Sequence, residues 1–387
     1  MRSRRRGHYS GIGGQAVLEG VMMKNKSRYA VAVRKPNDEI VVEIEGYQGL
    51  VKEESLWRKI PFIRGVFNFV ESLILGNHAL NASAAFYDEE EENTKAYKAL
   101  DKVTGGRAEK IINTFVMLIA VVLAVGIFVV LPYFVSGIFK QYIQNESLIM
   151  IIEGALRIVI FVLYILLISM MKDIKRLFAY HGAEHKCINC IERGRALTVS
   201  NVMRSSRLHK RCGTSFIFFV FFVSVVLFFF IRTENVFMKV LLRILLMPAI
   251  AGISYELIRI AGRSNNIIVN ILSAPGMWIQ RLTTKEPDRS MIEVAIASVE
   301  AVFDWKAFLK SEFGYDVDPK DMEEEMERKA KVHVILEDRI ELENVMVESE
   351  PEKEIGTSSE PTETTETTQT EDFAEETQEE NAGDSEE

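Results

Sequence analysis

Four long apolar segments in the middle of the 387-residue chain restrict its fold more than any other feature. A helix that crosses a hydrocarbon core of roughly 30 Å needs about 20 apolar residues. The predicted spans are Ile111–Tyr133, Ile149–Met171, the shorter Phe216–Ile231, and Val236–Ile260. Only a tight turn separates the last two, which predicts a helical hairpin. We therefore expect an all-α polytopic membrane protein built on a four-helix transmembrane bundle.

The distribution of lysine and arginine around these segments sets the expected orientation, because short cytoplasmic loops are enriched in positive charge. Basic residues crowd the segment before the first span and the loop of residues 172–215, whereas Lys140 is nearly alone after the first span. Arg259, Arg263 and Arg281 lie at and beyond the end of the fourth span. All of this positive charge falls on one side of the membrane if both termini are cytoplasmic.

The sequence before the first span predicts two further elements. Within residues 1–55, a glycine-rich segment precedes two stretches, Tyr29–Arg34 and Glu39–Glu45, that alternate apolar and polar residues and predict a small β-hairpin. We expect the glycines to form a tight turn against this hairpin, since the lysine and serine of a phosphate-binding loop are missing. Residues 56–110 predict an interfacial helical region, in which Leu56–Leu80 carries apolar residues at helical spacing and predicts a peripheral amphipathic helix.

The expected transmembrane region comprises residues 111–263. The sequence that follows it predicts a cytoplasmic helical region over residues 264–346. That region contains a second peripheral amphipathic helix at Met291–Leu309 and a short strand at Val332–Leu336. Residues 347–387 are dominated by Glu, Thr and Ser and cannot bury enough apolar surface to fold, so we expect them to be disordered. The expected partners are membrane lipids and a protein that this acidic tail binds, and not nucleic acid.

The most informative polar segment lies in the loop between the second and third spans. His181 and His185 are one turn apart on a helix, with Glu184 between them, which fits the zinc-binding pattern H-x-x-E-H. Both imidazoles can reach one ion, and the glutamate can serve as a general base. Zinc suits the nitrogen, sulfur and oxygen donors available here. The sequence thus predicts a zinc site with Glu184 as its catalytic residue.

Two sets of further ligands fit the sequence. For a catalytic site with three protein ligands and an open position, Glu256 or His209 completes the set. Cys212 is also an alternative third ligand of the catalytic site. In a closed structural site with four protein ligands, Cys212 and one of Cys187 and Cys190 join the two histidines. Cys187 and Cys190 have the spacing of a zinc knuckle, but a second C-x-x-C pair is missing from the sequence. We expect these two cysteines to be reduced and unligated.

Four basic residues of the same loop suit an anionic substrate group. They are Arg204, Arg207, Lys210 and Arg211. The same residues equally suit the cytoplasmic loop of a membrane protein, in which positive charge is expected on topological grounds.

Four sequence blocks resemble the signature blocks of the domain of unknown function 1385 family, the YqhQ-like bacterial proteins. They are Gly13–Met23, Tyr180–Lys186, Arg211–Ser215 and Thr283–Pro287, and the resemblance extends from about Gly11 to Phe303. Members of this family are described as predicted metal-dependent enzymes. The resemblance therefore implies a membrane protein with a metal site and leaves its substrate open.

Taken together, these patterns predict a metal-dependent integral enzyme of the bacterial inner membrane, a hydrolase with its active site at the cytoplasmic face. A peptide bond, a lipid-linked ester or a phosphate fits as its target. The alternative is a membrane assembly or regulatory scaffold, in which a structural metal fixes the loop and the acidic tail binds a partner. Loss of function on replacing Glu184 by Gln, with the metal retained, is expected of the enzyme and not of the scaffold.

Overall fold

The computed structural model describes residues 7–51, 55–87, 108–231, 233, 235–263, 266–316, 318–330 and 332–336. Within these residues the chain is mostly helical and contains one β-sheet. The strands are β1 (Gly13–Val17), β2 (Gly20–Asn25), β3 (Arg28–Arg34), β4 (Ile40–Gly46) and β5 (Val332–Leu336). The acidic tail expected to be disordered, residues 347–387, lies outside the described residues.

The helices follow β4 in the chain and precede β5. They are α1 (Ile63–Ala84), α2 (Ala108–Val125), α3 (Leu131–Ile138), α4 (Glu146–Ile168), α5 (Lys172–Glu192), α6 (Val199–Met203), α7 (Gly213–Phe228), α8 (Val236–Leu245), α9 (Met247–Arg263), α10 (Ile267–Thr283), α11 (Arg289–Val302), α12 (Trp305–Phe313) and α13 (Pro319–Lys329). A π-helical stretch, Gly126–Val130, joins α2 to α3, and short 3-10 turns lie at Leu56–Arg58 and Phe139–Gln141.

The predicted hairpin is present as β3 and β4, but it forms the centre of a larger sheet. The strand order is β1-β2-β3-β4-β5, with β1 to β4 antiparallel and β5 parallel to β4. The prediction of a tight turn at the glycines is wrong, because Gly13 and Gly14 are extended and pair with Lys24 and Met23 of β2. The strand predicted at Val332–Leu336 is confirmed as β5.

Both faces of the sheet are covered by helices. Val31 and Val33 of β3 pack towards α1, whereas Ala30 and Ala32 on the opposite face join the core formed with α5 and α11. The helix predicted at Met291–Leu309 is not peripheral: it is broken into α11 and α12, and its first half lies buried between the sheet and α5. Its apolar residues surround the helix and do not form a stripe, which is typical of a core helix.

In the part of the chain that the structure describes, two helices are long and apolar enough to cross a membrane, Thr114–Gln141 and Glu146–Ile168. A third candidate span is the pair Val236–Leu245 and Met247–Gly262, which are bent by 41° relative to one another. The remaining predicted span corresponds to α7, an apolar helix of 16 residues. These helices indicate a membrane-associated protein.

A buried group of charges joins α4 to α8. Glu153 accepts hydrogen bonds from Arg157, at 2.9 Å, and from Arg243, at 2.8 Å. Arg157 also donates to Ser224 Oγ and to the Phe128 carbonyl. All three charged side chains are buried among the helices.

Candidate metal centre

His181, His185 and Cys212 form the group of side chains among the described residues that could hold a metal ion. Their candidate ligand atoms all lie within 4.8 Å of one another. The two histidines come from consecutive turns of α5, with ring centroids 4.4 Å apart. Cys212 is the residue that caps the N-terminus of α7, and its Sγ lies 3.2 Å from His181 Nε2. The site therefore lies where α5 of the core meets α7.

Backbone carbonyl groups orient both imidazole rings. Nδ1 of His181 lies 3.0 Å from the Thr283 carbonyl oxygen, and Nδ1 of His185 lies 2.6 Å from the Arg207 carbonyl oxygen. A carbonyl oxygen can only accept, so each Nδ1 carries the hydrogen and donates. Each Nε2 is then available as a ligand, and such an outer hydrogen bond is what metal-binding histidines commonly make.

The thiol and the imidazoles strongly influence each other's protonation. Burial raises the pKa of Cys212, but His181 and His185 outweigh burial and hold it well below its ordinary value. Burial lowers the pKa of His181, but Cys212, together with Glu184, outweighs it and raises this pKa to about 9. Both shifts favour a thiolate beside an imidazolium, and the thiolate is the form of cysteine that binds metals.

Glu184 lies on α5 with the two histidines and is almost completely buried, with 4% of its surface exposed. Burial raises the pKa of its carboxyl group, which the nearby histidines counteract. The backbone of Gly14 adjoins this carboxyl group and acts to lower its pKa. Its Oε2 has no hydrogen-bond partner among the described residues. A buried carboxylate oxygen without a partner is costly, and its position beside three metal-binding groups fits a site that receives an ion and water.

Two glycines let neighbouring segments approach this helix. A Cβ on Gly14 would collide with the Met22 carbonyl and lie 3.2 Å from Cγ of Glu184. A Cβ on Gly182 would collide with the carbonyl of Lys285, whose N–H donates to the Phe178 carbonyl at 2.8 Å. Both the first strand and the segment after α10 therefore lie directly against the histidine helix.

Several residues predicted as ligands lie elsewhere. Glu256 is held by Arg64, whose Nε and Nη2 each donate to one of its oxygens at 2.6 Å, so it is not part of the group. The His209 ring lies 5.6 Å from that of His185, but its Nε2 faces Glu192 at 3.5 Å. His209 is therefore a neighbour of the ligand group and not a member of it.

The two other cysteines do not complete a closed site among the described residues. Cys187 and Cys190 are free thiols in the apolar core that α5 forms with α11 and the sheet. Cys190 Sγ donates to the Ala196 carbonyl at 3.4 Å. Burial raises the pKa of both thiols, which disfavours the thiolate that a metal requires.

The four basic residues predicted to bind substrate are not brought to one place. Arg207 donates to the Thr284 carbonyl at 3.0 Å, and Lys210 donates to Asn270 Oδ1 at 2.7 Å. Arg204 is exposed at the end of α6. Of the four, Arg211 lines a cavity, which is described below.

The four sequence blocks that carry the family resemblance all reach this site. The first supplies Gly14, the second the histidines and Glu184, the third Cys212, and the last the carbonyl of Thr283. Reasoning from single residues missed Gly14 and the Thr283 and Arg207 carbonyls, because backbone groups leave no chemical signature in a sequence. All four blocks belong to the signature of one family. That shared membership was the indication in the sequence that they lie close together in the fold.

Comparisons with known proteins agree with that resemblance. The family model described as "Protein of unknown function (DUF1385)" matches residues 60–305. The chain is similar to "Uncharacterized protein YqhQ" of Bacillus subtilis (strain 168), with 33% identity over 291 residues that cover 74% of this chain and 90% of that protein. No solved structure gives a significant match.

Proposed function

This chain belongs to the DUF1385 family, and from its metal centre we propose that it is a zinc-dependent integral membrane enzyme, a hydrolase with its active site at the cytoplasmic face. Two imidazoles and one thiolate are a donor set that zinc accepts, and three protein ligands leave a fourth coordination position open. The observation that carries the proposal is the unpartnered, buried Oε2 of Glu184 beside these ligands.

The chain's own groups fit the roles that hydrolysis requires. When bound, zinc supplies Lewis acidity and lowers the pKa of a water molecule in its open position. The carbonyls of Thr283 and Arg207 hold the two rings in the ligating orientation. Gly14 packs against the Glu184 side chain, whose Oε2 is free to accept a proton from the attacking water.

The proposed topology has four spans in the bacterial inner membrane, with both termini in the cytoplasm. It adds α7 and the bent pair of α8 and α9 to the two long candidate spans. The packing of α7 against α4, α9 and α10 supports this bundle, as does the basic loop of residues 172–215. The metal centre then lies at the cytoplasmic end of α7.

A membrane scaffold with a structural metal is the second candidate. The low exposure of two ligands favours it, since 5% of Cys212 and 1% of His185 are accessible to solvent. In this function the ion stabilises the junction of α5 and α7, and the acidic tail binds a partner.

Elemental mass spectrometry on the detergent-purified chain tests the metal centre. We expect about one zinc per chain in the wild type and none in the double variant His181→Ala/His185→Ala. The matched control is His333→Ala, an exposed histidine on β5, which retains the wild-type zinc content. Absence of metal from the wild type, even after reconstitution with zinc, would exclude both candidate functions.

The variant Glu184→Gln separates the two candidates. It is nearly isosteric and is expected to retain zinc and the folded structure. The enzyme loses turnover because the amide cannot accept the proton from water, whereas the scaffold keeps its cellular function. Full function of Glu184→Gln in cells that otherwise lack the protein would overturn the enzyme and favour the scaffold.

A further inference from the structure

A second polar site lies next to the metal centre. It is a cavity of about 350 Å³, lined by Tyr9, Arg58, Arg64, Asn68, Arg211, Tyr255 and Arg259. We propose that this cavity binds the phosphate headgroup of an anionic membrane lipid. The proposal rests on the proposed function insofar as it names the substrate class of the enzyme, but headgroup binding itself requires neither metal nor turnover.

The charge of the cavity favours an anion. Its four arginines are paired with three carboxylates behind them: Arg58 with Glu71, Arg64 and Arg259 with Glu256, and Arg211 with Glu192. One positive charge is therefore in excess, and none of the described residues that line the cavity is acidic. Guanidinium groups present several N–H donors in a plane, which suits the oxygen atoms of a phosphate.

The contacts of Arg259 leave it the most available of these arginines. Its Nη1 lies 3.5 Å from Glu256, whereas Arg64 donates to the same carboxylate through two bonds of 2.6 Å. About a third of the Arg259 side chain is exposed. The hydroxyl groups of Tyr9 and Tyr255 and the amide of Asn68 add uncharged donors to the cavity wall.

The surroundings of the cavity favour a lipid over a soluble phosphate compound. The segment that carries Arg58 and leads into α1 exposes several large apolar side chains: Leu56 at 72%, Trp57 at 56% and Phe62 at 52%. Exposed apolar residues next to arginines are typical of a segment at the membrane interface, where the apolar groups enter the acyl region and the guanidinium groups remain at the headgroups. A lipid with its headgroup in the cavity then has its chains on the apolar side.

A chain of contacts connects the cavity to the metal centre. Arg211 lines the cavity and immediately precedes the ligand Cys212 in the sequence. Glu192 holds Arg211 with one oxygen and faces His209 with the other, and His209 packs against His185. A headgroup in the cavity is therefore bound beside the group of side chains proposed to carry out hydrolysis.

Isothermal titration calorimetry on the full-length, detergent-purified chain tests the proposal with three probes. Dioctanoyl phosphatidic acid carries both the phosphate and the chains, dioctanoylglycerol lacks the phosphate, and glycerol 3-phosphate lacks the chains. We expect the first to bind at least about tenfold more tightly than either of the others, since both the phosphate and the chains contribute. Equal binding of dioctanoylglycerol would overturn the phosphate site, and equal binding of glycerol 3-phosphate would overturn the lipid as the source of the phosphate.

Two substitutions assign the binding to this cavity. Arg259→Gln removes the available guanidinium and is expected to weaken binding of dioctanoyl phosphatidic acid about tenfold. The matched control Arg281→Gln removes an exposed arginine outside the cavity and leaves binding unchanged. Wild-type affinity of a folded Arg259→Gln variant would overturn the proposal.

The metal-free variant His181→Ala/His185→Ala separates this proposal from the proposed function. It is expected to bind dioctanoyl phosphatidic acid with the wild-type affinity. If the wild type binds this lipid but holds no metal, the enzyme proposal is disproved and the lipid site remains. If the double variant folds but does not bind the lipid, a headgroup site separate from the metal centre is disproved.

Discussion

Nε2 of His181 lies 3.2 Å from Sγ of Cys212, although 31 positions separate the two residues in the chain. The histidine belongs to α5, which packs against the sheet, and the cysteine caps the first turn of α7, an apolar helix. The contact therefore joins the core around the sheet to the apolar helix α7. A metal at this point would stabilise the junction by bonds to both sides.

The first prediction concerns Cys212 as a metal ligand. Cys212→Ser is expected to weaken zinc binding about a hundredfold or more, because zinc loses its thiolate while both histidines remain. Competition with a chromophoric chelator measures the affinity. The matched control is Cys190→Ser, whose hydroxyl can still donate to the Ala196 carbonyl and which is expected to bind zinc as the wild type does. Equal affinities of the two variants would exclude Cys212 as a ligand.

The second prediction concerns the pH dependence of zinc binding. His181 must lose a proton to bind metal, and its pKa of about 9 means that it is protonated at neutral pH in the metal-free chain. Zinc affinity is therefore expected to rise about tenfold per pH unit between pH 6 and pH 8, with about one proton released per ion bound. Calorimetric titration in buffers of different ionisation enthalpy counts the released protons.

A control for this proton count is the Cys212→Ser variant. Without the thiolate, the two largest contributions that raise the pKa of His181 are lost while burial still lowers it, so fewer protons are released at pH 7. The same proton release in both proteins would show that the thiolate does not hold the proton on His181.

The local part of the site could be predicted from the sequence, and the long-range part could not. Helical spacing alone puts His181, Glu184 and His185 on adjoining turns, and the structure places them so. The sequence leaves the third ligand open between Glu256, His209 and Cys212, because only packing decides which of them reaches α5. Glu256 is instead bound by Arg64, which lies 192 residues away in the sequence and belongs to no metal-binding motif.

In the fold, too, the sequence predicts the local elements but not their long-range packing. The alternation in β3 and β4 predicts a hairpin, and the apolar runs predict membrane helices. The strand β1 was missed because glycine has low strand propensity, and its extended conformation depends on pairing with β2. The burial of α11 was missed because it packs against α5 and against strands more than 240 residues earlier in the chain, and periodicity in a short apolar segment does not reveal such contacts.

The third prediction concerns Gly14, which lies between β2 and the histidine helix. Gly14→Ala is expected to destabilise the chain by about 1–3 kcal/mol, because the added methyl group collides with the Met22 carbonyl and displaces Glu184. The melting temperature in detergent measures the effect. The matched control is Gly13→Ala on the same strand, where a Cβ meets no atom within 4 Å and little change is expected. Similar melting temperatures for the two variants would contradict the close approach at Gly14.

The fourth prediction concerns the buried charges between α4 and α8. Glu153→Gln is expected to destabilise the chain by about 3–5 kcal/mol, because it leaves Arg157 and Arg243 buried without a counter-charge. Arg243 is especially dependent on Glu153, since its Nε and Nη1 have no hydrogen-bond partner among the described residues. Thermal unfolding in detergent measures the loss. The matched control Glu146→Gln lies exposed in the first turn of the same helix and is expected to change stability by less than about 1 kcal/mol. Equal stability of the two variants would mean that Arg157 and Arg243 reach water or another anion in the detergent-solubilised protein.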